Sequence, residues 1–106
     1  MVYALKMRYK IGPGKGYEGY HSVYQDEKLA KHMEELRNKL HGREIAYRVV
    51  AIKPEDYKVS QNYSKQTCIS FADSQYSWLL VDTTTYIDYL RSKGLLKYYK
   101  EQRQRG

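Results

Sequence analysis

Residues 2–11 alternate between apolar and charged side chains, which is the period of a β-strand with one buried face. The apolar positions are Tyr3, Leu5, Met7, Tyr9 and Ile11. The intervening cations Lys6, Arg8 and Lys10 would form a row on the opposite, solvent-facing side. A glycine-rich stretch then predicts a flexible loop, and residues 20–24 predict a second strand, antiparallel to the first because the connection is short.

The segment between Asp26 and Gly42 carries the clearest helical pattern in the chain. Apolar side chains recur at spacings of four, three and four, and so occupy one stripe of a helix. These positions are Leu29, Met33, Leu36 and Leu40. Asp26 is a suitable N-cap, because its carboxylate can accept a hydrogen bond from a free backbone N–H of the first turn. Gly42 is typical of the position that follows the end of a helix.

Three more strands are predicted in the second half of the chain. Residues 44–53 alternate, and Pro54 ends this strand because proline cannot donate to a ladder. Residues 54–66 are polar and aperiodic, and we interpret them as a loop. Residues 67–72 and 76–81 are rich in strand-forming side chains and predict a hairpin.

A second helix is predicted after this hairpin, where Thr85 and Asp88 have the spacing of a capping box and Gly94 would end the helix. The element order ββαβββα predicts an α+β fold, namely a mainly antiparallel sheet of about five strands with two helices on one face. We expect a single domain over residues 1–106, with a basic C-terminal tail at about residues 97–106 that frays.

The net charge of +7 is concentrated at the two ends of the chain. Residues 1–17 contribute +4, residues 18–90 contribute −2 and residues 91–106 contribute +5. If the two ends meet in the fold, they form one positive surface, which would attract phosphate backbones or acidic protein faces. The chain also has 13 tyrosines, whose flat rings and polar tips suit wet interfaces and base stacking.

Several classes of function are disfavoured. Residues 14–19 match G-x-G-x-x-G and residues 50–53 match V-A-I-K, as in protein kinases, but the chain is too short for a catalytic lobe and has no H-R-D or D-F-G motif. The single cysteine, Cys68, and the three histidines lack metal-ligand spacing. No stretch approaches the roughly 20 apolar residues of a membrane-spanning helix. We therefore expect a cytoplasmic, intracellular protein with no cofactor, no metal and no membrane partner.

Cations and tyrosines from both ends are the candidate binding residues. Lysine and arginine neutralise phosphates, and tyrosine rings stack on bases. Our hypothesis is a small, non-catalytic basic module that contacts nucleic acid, with DNA and RNA undistinguished. The candidate residues are Lys6, Arg8, Lys10, Lys15, Tyr17, Tyr20, Arg48, Lys97, Tyr98, Lys100, Arg103 and Arg105.

The sequence leaves two alternatives open. The first is a protein–protein adapter or inhibitor, of the kind common among viruses and mobile elements, that docks on an acidic partner surface. The second is a small metal-independent ribonuclease, which needs acid–base groups and cations around the scissile phosphate. Its candidate groups are His21 or His41 together with Arg43, Tyr47 and Arg48.

Overall fold

A computed structural model of the protein describes residues 1–99 and contains a six-stranded sheet. The strands are β1 (Val2–Tyr9), β2 (Glu18–Tyr24), β3 (Ile45–Ile52), β4 (Tyr57–Gln61), β5 (Thr67–Phe71) and β6 (Ser77–Val81). The main helices are α1 (Glu27–His41) and α2 (Thr83–Ser92). A short 3-10 helix over Pro54–Asp56 precedes β4, and residues 96–99 form a last helical turn. The predicted α+β fold is confirmed, with one strand more than expected.

Two three-stranded ribbons join to make the sheet. The strand order is β3-β1-β2-β6-β5-β4, and every neighbouring pair is antiparallel except β2 and β6, which run parallel. The parallel pair is short, with Val23 opposite Leu80 and Tyr24 opposite Val81. The two ribbons are therefore joined by few backbone contacts, and side-chain packing must hold them together.

The additional strand, β4, lies within residues 54–66, so the prediction of a loop throughout that segment is wrong. Only Tyr57 of β4 is partly buried, and its other four residues are exposed. An edge strand that buries so little needs no apolar alternation in its sequence. It is defined by its backbone ladder with β5, in which Val59 lies opposite Ile69.

The sheet is strongly curled, as the connection between its two edge strands requires. β3 and β4 lie at opposite edges, yet only residues 53–56 connect Ile52 to Tyr57. Five Cα steps cover at most about 18 Å, whereas the edges of a flat six-stranded sheet lie about 24 Å apart. The sheet therefore bends toward itself. We call the inner side, which faces away from the helices, the concave face, and the other side the helical face.

On the helical face, α1 begins as predicted. The Asp26 carboxylate accepts a hydrogen bond from the Leu29 backbone N–H at 3.1 Å. Leu29, Met33 and Leu36 are buried together with Leu5, Tyr24, Tyr47, Tyr86 and Leu90. Leu40, which the pattern placed on the same stripe, is 43% exposed, since the buried part of α1 ends at Leu36.

The second helix starts three residues earlier than the predicted capping box implies, since that box would make Thr85 the N-cap. Asp82 is its N-cap and accepts a hydrogen bond from the Thr85 backbone N–H at 2.8 Å. Gly94 ends the helix in the left-handed region with φ +70°, and the Leu95 N–H returns to the Leu90 carbonyl at 2.8 Å. This is the usual way for a glycine to terminate a helix.

A second core fills part of the concave face without any helix. Its buried members are Val2, Ala4, Val23, Ile69 and Phe71. They come from both ribbons, so the curl of the sheet itself removes them from water. Within residues 1–99, neither helix is long and apolar enough to cross a bilayer.

Candidate functional site

One row of β1 side chains lies on the concave face, and it changes from buried apolar residues to cations half-way along the strand. Val2 and Ala4 are buried in the concave core, whereas Lys6 is half-buried and Arg8 is exposed. The sheet register places Arg48 of β3 directly opposite Lys6. Because opposed residues of antiparallel strands project from the same face, Arg48 joins Lys6 and Arg8 on the concave side.

These three cations lie close together. The Cα atoms of Lys6 and Arg8 are about 6.6–6.8 Å apart along a strand, and those of Lys6 and Arg48 are about 5 Å apart across the ladder. The only ion pair among residues 1–99 joins Arg91 to Asp88. No ion pair within the described chain therefore neutralises the three cations, and their positive charge is open to an external anion.

An aromatic cluster forms the neighbouring wall of the concave face. The Tyr20 ring lies 4.4 Å from that of Phe71 and 5.3 Å from that of Trp78, measured between centroids. The Tyr20 hydroxyl donates to the Asp73 carboxylate at 3.2 Å, and Lys6 Nζ is 5.3 Å from the centre of the ring. Partial burial, and secondarily the Asp73 charge, raise the pKa of Tyr20. Tyr20 is thus held in place as part of the wall.

Two adjoining hollows open between these groups. A hollow of about 320 Å³ lies over the three cations, and one of about 450 Å³ is lined by Tyr17, Tyr76 and Trp78. Both hollows are lined by Lys6, Met7 and Glu18, so they form one continuous depression. We call this depression the basic groove, with its cationic end at Lys6, Arg8 and Arg48 and its aromatic end at Tyr17, Tyr76 and Trp78.

The aromatic end presents two largely exposed rings and a carboxylate. Tyr17 is 61% exposed and Tyr76 is 66% exposed, which leaves ring surface available for a ligand. Asp73 lines this end only, whereas Glu18 lies where the two hollows meet, opposite Arg8 in the register. The groove therefore has cations at one end, exposed rings and Asp73 at the other, and Glu18 beside the cations at the junction.

The structure brings five of the predicted binding residues together in the groove. These residues are Lys6, Arg8, Tyr17, Tyr20 and Arg48. Lys15 lies in the loop between β1 and β2 and lines neither hollow. Lys10 is also elsewhere, and its predicted place in the strand row is wrong because β1 ends at Tyr9. Its Nζ donates to the Gly42 carbonyl at 2.7 Å, where a cation compensates the free carbonyls at the end of α1.

The described part of the tail lies on the helical face. Tyr98 packs against the core there, with Lys39 Nζ 4.9 Å and Lys97 Nζ 5.3 Å from its ring centre. The expectation that the two chain ends form one positive surface is therefore wrong for Lys97 and Tyr98, because the sheet separates them from Lys6. The other predicted tail residues lie outside the described part of the chain; they are Lys100, Arg103 and Arg105.

Sequence reasoning missed four acidic or aromatic groove residues, namely Glu18, Asp73, Tyr76 and Trp78. The last three belong to or adjoin the correctly predicted hairpin, but nothing local indicates that this hairpin faces β1. That proximity follows from the parallel pairing of β2 with β6 and from the curl of the sheet.

The residues proposed for a ribonuclease are divided between the two faces. A β-bulge opposite Leu5 and Lys6 inserts His21 as an extra residue, and its ring lies 5.8 Å from Tyr47 on the helical face. Arg48 projects from the concave face, so the sheet lies between it and His21.

The environment of His21 favours its neutral form. His21 Nδ1 is 2.8 Å from the Ser22 hydroxyl oxygen. Burial, followed by the charges of Arg37 and His41, lowers the pKa of His21 to about 4. Arg37 itself donates to the Tyr47 hydroxyl at 3.0 Å, whereas its buried Nε has no hydrogen-bond partner among the described residues.

Among residues 1–99, no three His, Cys, Asp or Glu side chains are gathered in a way that would hold a metal ion. No protein-family model, curated protein or solved structure matches this chain. The geometry of the basic groove is therefore the basis for a functional proposal.

Proposed function

We propose that this protein is a non-catalytic module that binds nucleic acid in the basic groove. The proposal rests on three cations that have no ion-pair partner among residues 1–99 and that lie beside exposed aromatic rings in a single depression. Lysine and arginine gain binding free energy from phosphates by releasing condensed counterions. Tyrosine rings add base stacking, which tolerates any base.

The position of the groove on the sheet supports the same proposal. Lys6, Arg8 and Arg48 are anchored on paired strands rather than on loops, so their backbone positions are fixed before a ligand arrives. Like charges on neighbouring strand positions repel each other unless water or an anion lies between them. A bound phosphate would relieve that repulsion.

The test is the salt dependence of oligonucleotide binding, followed by fluorescence anisotropy between about 50 and 200 mM salt. We expect affinity to fall steeply with salt for the native chain. In the variant Lys6→Gln, Arg8→Gln, Arg48→Gln, we expect affinity to drop by about tenfold or more and the slope of log K against log salt to decrease by up to about three.

A control with the same change in charge is available. Lys28→Gln, Lys31→Gln and Lys58→Gln also remove three exposed cations, and none of them lines the groove. This control should bind nearly as tightly as the native chain. If binding is independent of salt, or if both triple variants weaken it equally, the groove is not a nucleic-acid site. An acidic protein partner would then become the better hypothesis.

A further inference from the structure

We infer that the basic groove holds one unpaired nucleic-acid strand in a fixed orientation and prefers bases that carry an exocyclic amino group. In this orientation a phosphate lies over the cationic end and a base lies at the aromatic end, with Glu18 and Asp73 accepting from its amino group. This inference rests on the proposed function and adds the class of ligand and two specificity residues.

The spacing of the cations matches a single backbone. Lys6, Arg8 and Arg48 have Cα atoms within about 8 Å of one another, a span that covers one or two adjacent phosphates. The two backbones that flank a B-DNA major groove are about 12 Å apart across that groove. The cationic end therefore suits one backbone and is too compact to reach both backbones across a major groove.

The aromatic end requires an unstacked base. Tyr17 and Tyr76 are 61% and 66% exposed and line the same hollow as Trp78. Protein rings reach base faces only where the base is free of its neighbours, as in single strands and loops. Bases inside a duplex are stacked on both sides and would leave these rings unused.

Asp73 sets the orientation. Of the two hollows it lines only the aromatic one, so its charge would repel a phosphate placed there and direct the backbone to Lys6, Arg8 and Arg48. Glu18, opposite Arg8 where the two hollows meet, adds an acceptor between the two ends. Neither carboxylate is engaged in an ion pair within residues 1–99. Asp73 accepts only from the Tyr20 hydroxyl among the described contacts, so both acids have lone pairs left for a ligand.

The same carboxylates select the base. A carboxylate accepts hydrogen bonds and donates none, so it suits the N4 amino group of cytosine. Uracil has an oxygen at that position, and an oxygen facing a carboxylate is repelled. Cytosine and uracil are otherwise similar in size and in stacking surface, so a preference between them isolates the contribution of Glu18 and Asp73.

The experiment compares labelled oligo-dC, oligo-dU and a duplex of the same length by fluorescence anisotropy at neutral pH. For the native chain we expect oligo-dC to bind about fivefold or more tightly than oligo-dU. We also expect oligo-dC to bind about fivefold or more tightly than the duplex.

A double variant then tests the two carboxylates. Glu18→Gln with Asp73→Asn keeps the side-chain shapes and supplies amide donors that suit the uracil oxygen. We expect the preference for oligo-dC to fall below about twofold while affinity for oligo-dU rises, since two negative charges are removed. The control variant Glu44→Gln with Glu55→Gln changes two exposed acids outside the groove and should keep the native preference.

The outcomes separate this inference from the proposed function. Equal binding of oligo-dC and oligo-dU, an unchanged preference in the Glu18 and Asp73 double variant, or duplex binding as tight as single-strand binding overturns the inference. If any of these is found while the variant lacking Lys6, Arg8 and Arg48 loses binding, the proposed function still stands. Absence of binding to every oligonucleotide overturns both.

Discussion

Protonation of His21 should make the fold less stable in mild acid. The pKa of His21 is lowered to about 4 from its ordinary 6.5, so the folded state prefers the neutral ring. As the pH falls below 6.5, His21 takes up a proton in the unfolded chain, whereas in the folded chain it stays neutral until the pH nears 4. The contribution of His21 to stability is therefore complete above pH 6.5 and is lost as the pH falls toward about 4.

The size of this effect follows from the difference between the two pKa values. If the whole difference acted on folding, charging His21 would cost on the order of 3 kcal/mol. The ring is only partly buried, and solvent screening reduces the expected cost to about 1–2 kcal/mol. That is a large fraction of the stability of a small domain.

The assay is urea denaturation, followed by Trp78 fluorescence and far-UV circular dichroism, at a series of pH values between 7 and 4.5. The native chain and His21→Gln are compared by the change in unfolding free energy across the series. The native chain should lose about 1–2 kcal/mol more than His21→Gln, because the variant cannot take up this proton. Other titrating groups, including the buried His32, are present in both and cancel in the comparison.

A control and a direct measurement complete the test. His41→Gln removes an exposed imidazole whose charge is the last of the three causes that lower the pKa of His21, so most of the pH dependence of the native chain should remain. The ring protons of His21 should titrate by NMR with a midpoint near pH 4. Parallel stability curves for the native chain and His21→Gln, or a midpoint near 6.5, would refute the reasoning.

Two further predictions concern stability, and both are measured by urea unfolding of the variant. Ile69→Ala should cost about 2–5 kcal/mol, because Ile69 is fully buried in the concave core; a loss below about 1 kcal/mol would show that this core is loosely packed. Gly94→Ala should cost about 1–2 kcal/mol, since its φ of +70° disfavours a side chain, and an unchanged midpoint would mean that the turn after α2 can rearrange.

Features that depend on neighbours in the sequence were predictable from the chain alone. The alternation in β1 and the buried positions Leu29, Met33 and Leu36 follow from repeats of two or about 3.6 residues. The Asp26 cap follows from a carboxylate placed just before the helical pattern. The same alternation correctly predicts that Lys6 and Arg8 share one face of β1. These features are local because a strand or a helix sets the direction of each side chain by its own backbone geometry.

Features that depend on pairing between distant segments were decided by the tertiary structure. Residue periodicity does not reveal that β4 pairs with β5, because a ladder of backbone hydrogen bonds needs no particular side chains. Periodicity also does not predict that Lys10 reaches Gly42 at the end of α1, or that Tyr98 packs beside Lys39 on the helical face. Each of these contacts joins residues more than 30 positions apart in the sequence.

The candidate site depends partly on local sequence pattern and partly on long-range pairing. The sequence determined that β1 carries a cationic row, because side chains of a strand alternate strictly between its faces. Only the fold placed Arg48 beside that row and brought Tyr76 and Trp78 across from it. Those placements depend on strand order, on one parallel pairing and on the curl forced by the short connection between β3 and β4, and each is a long-range property of the packed chain.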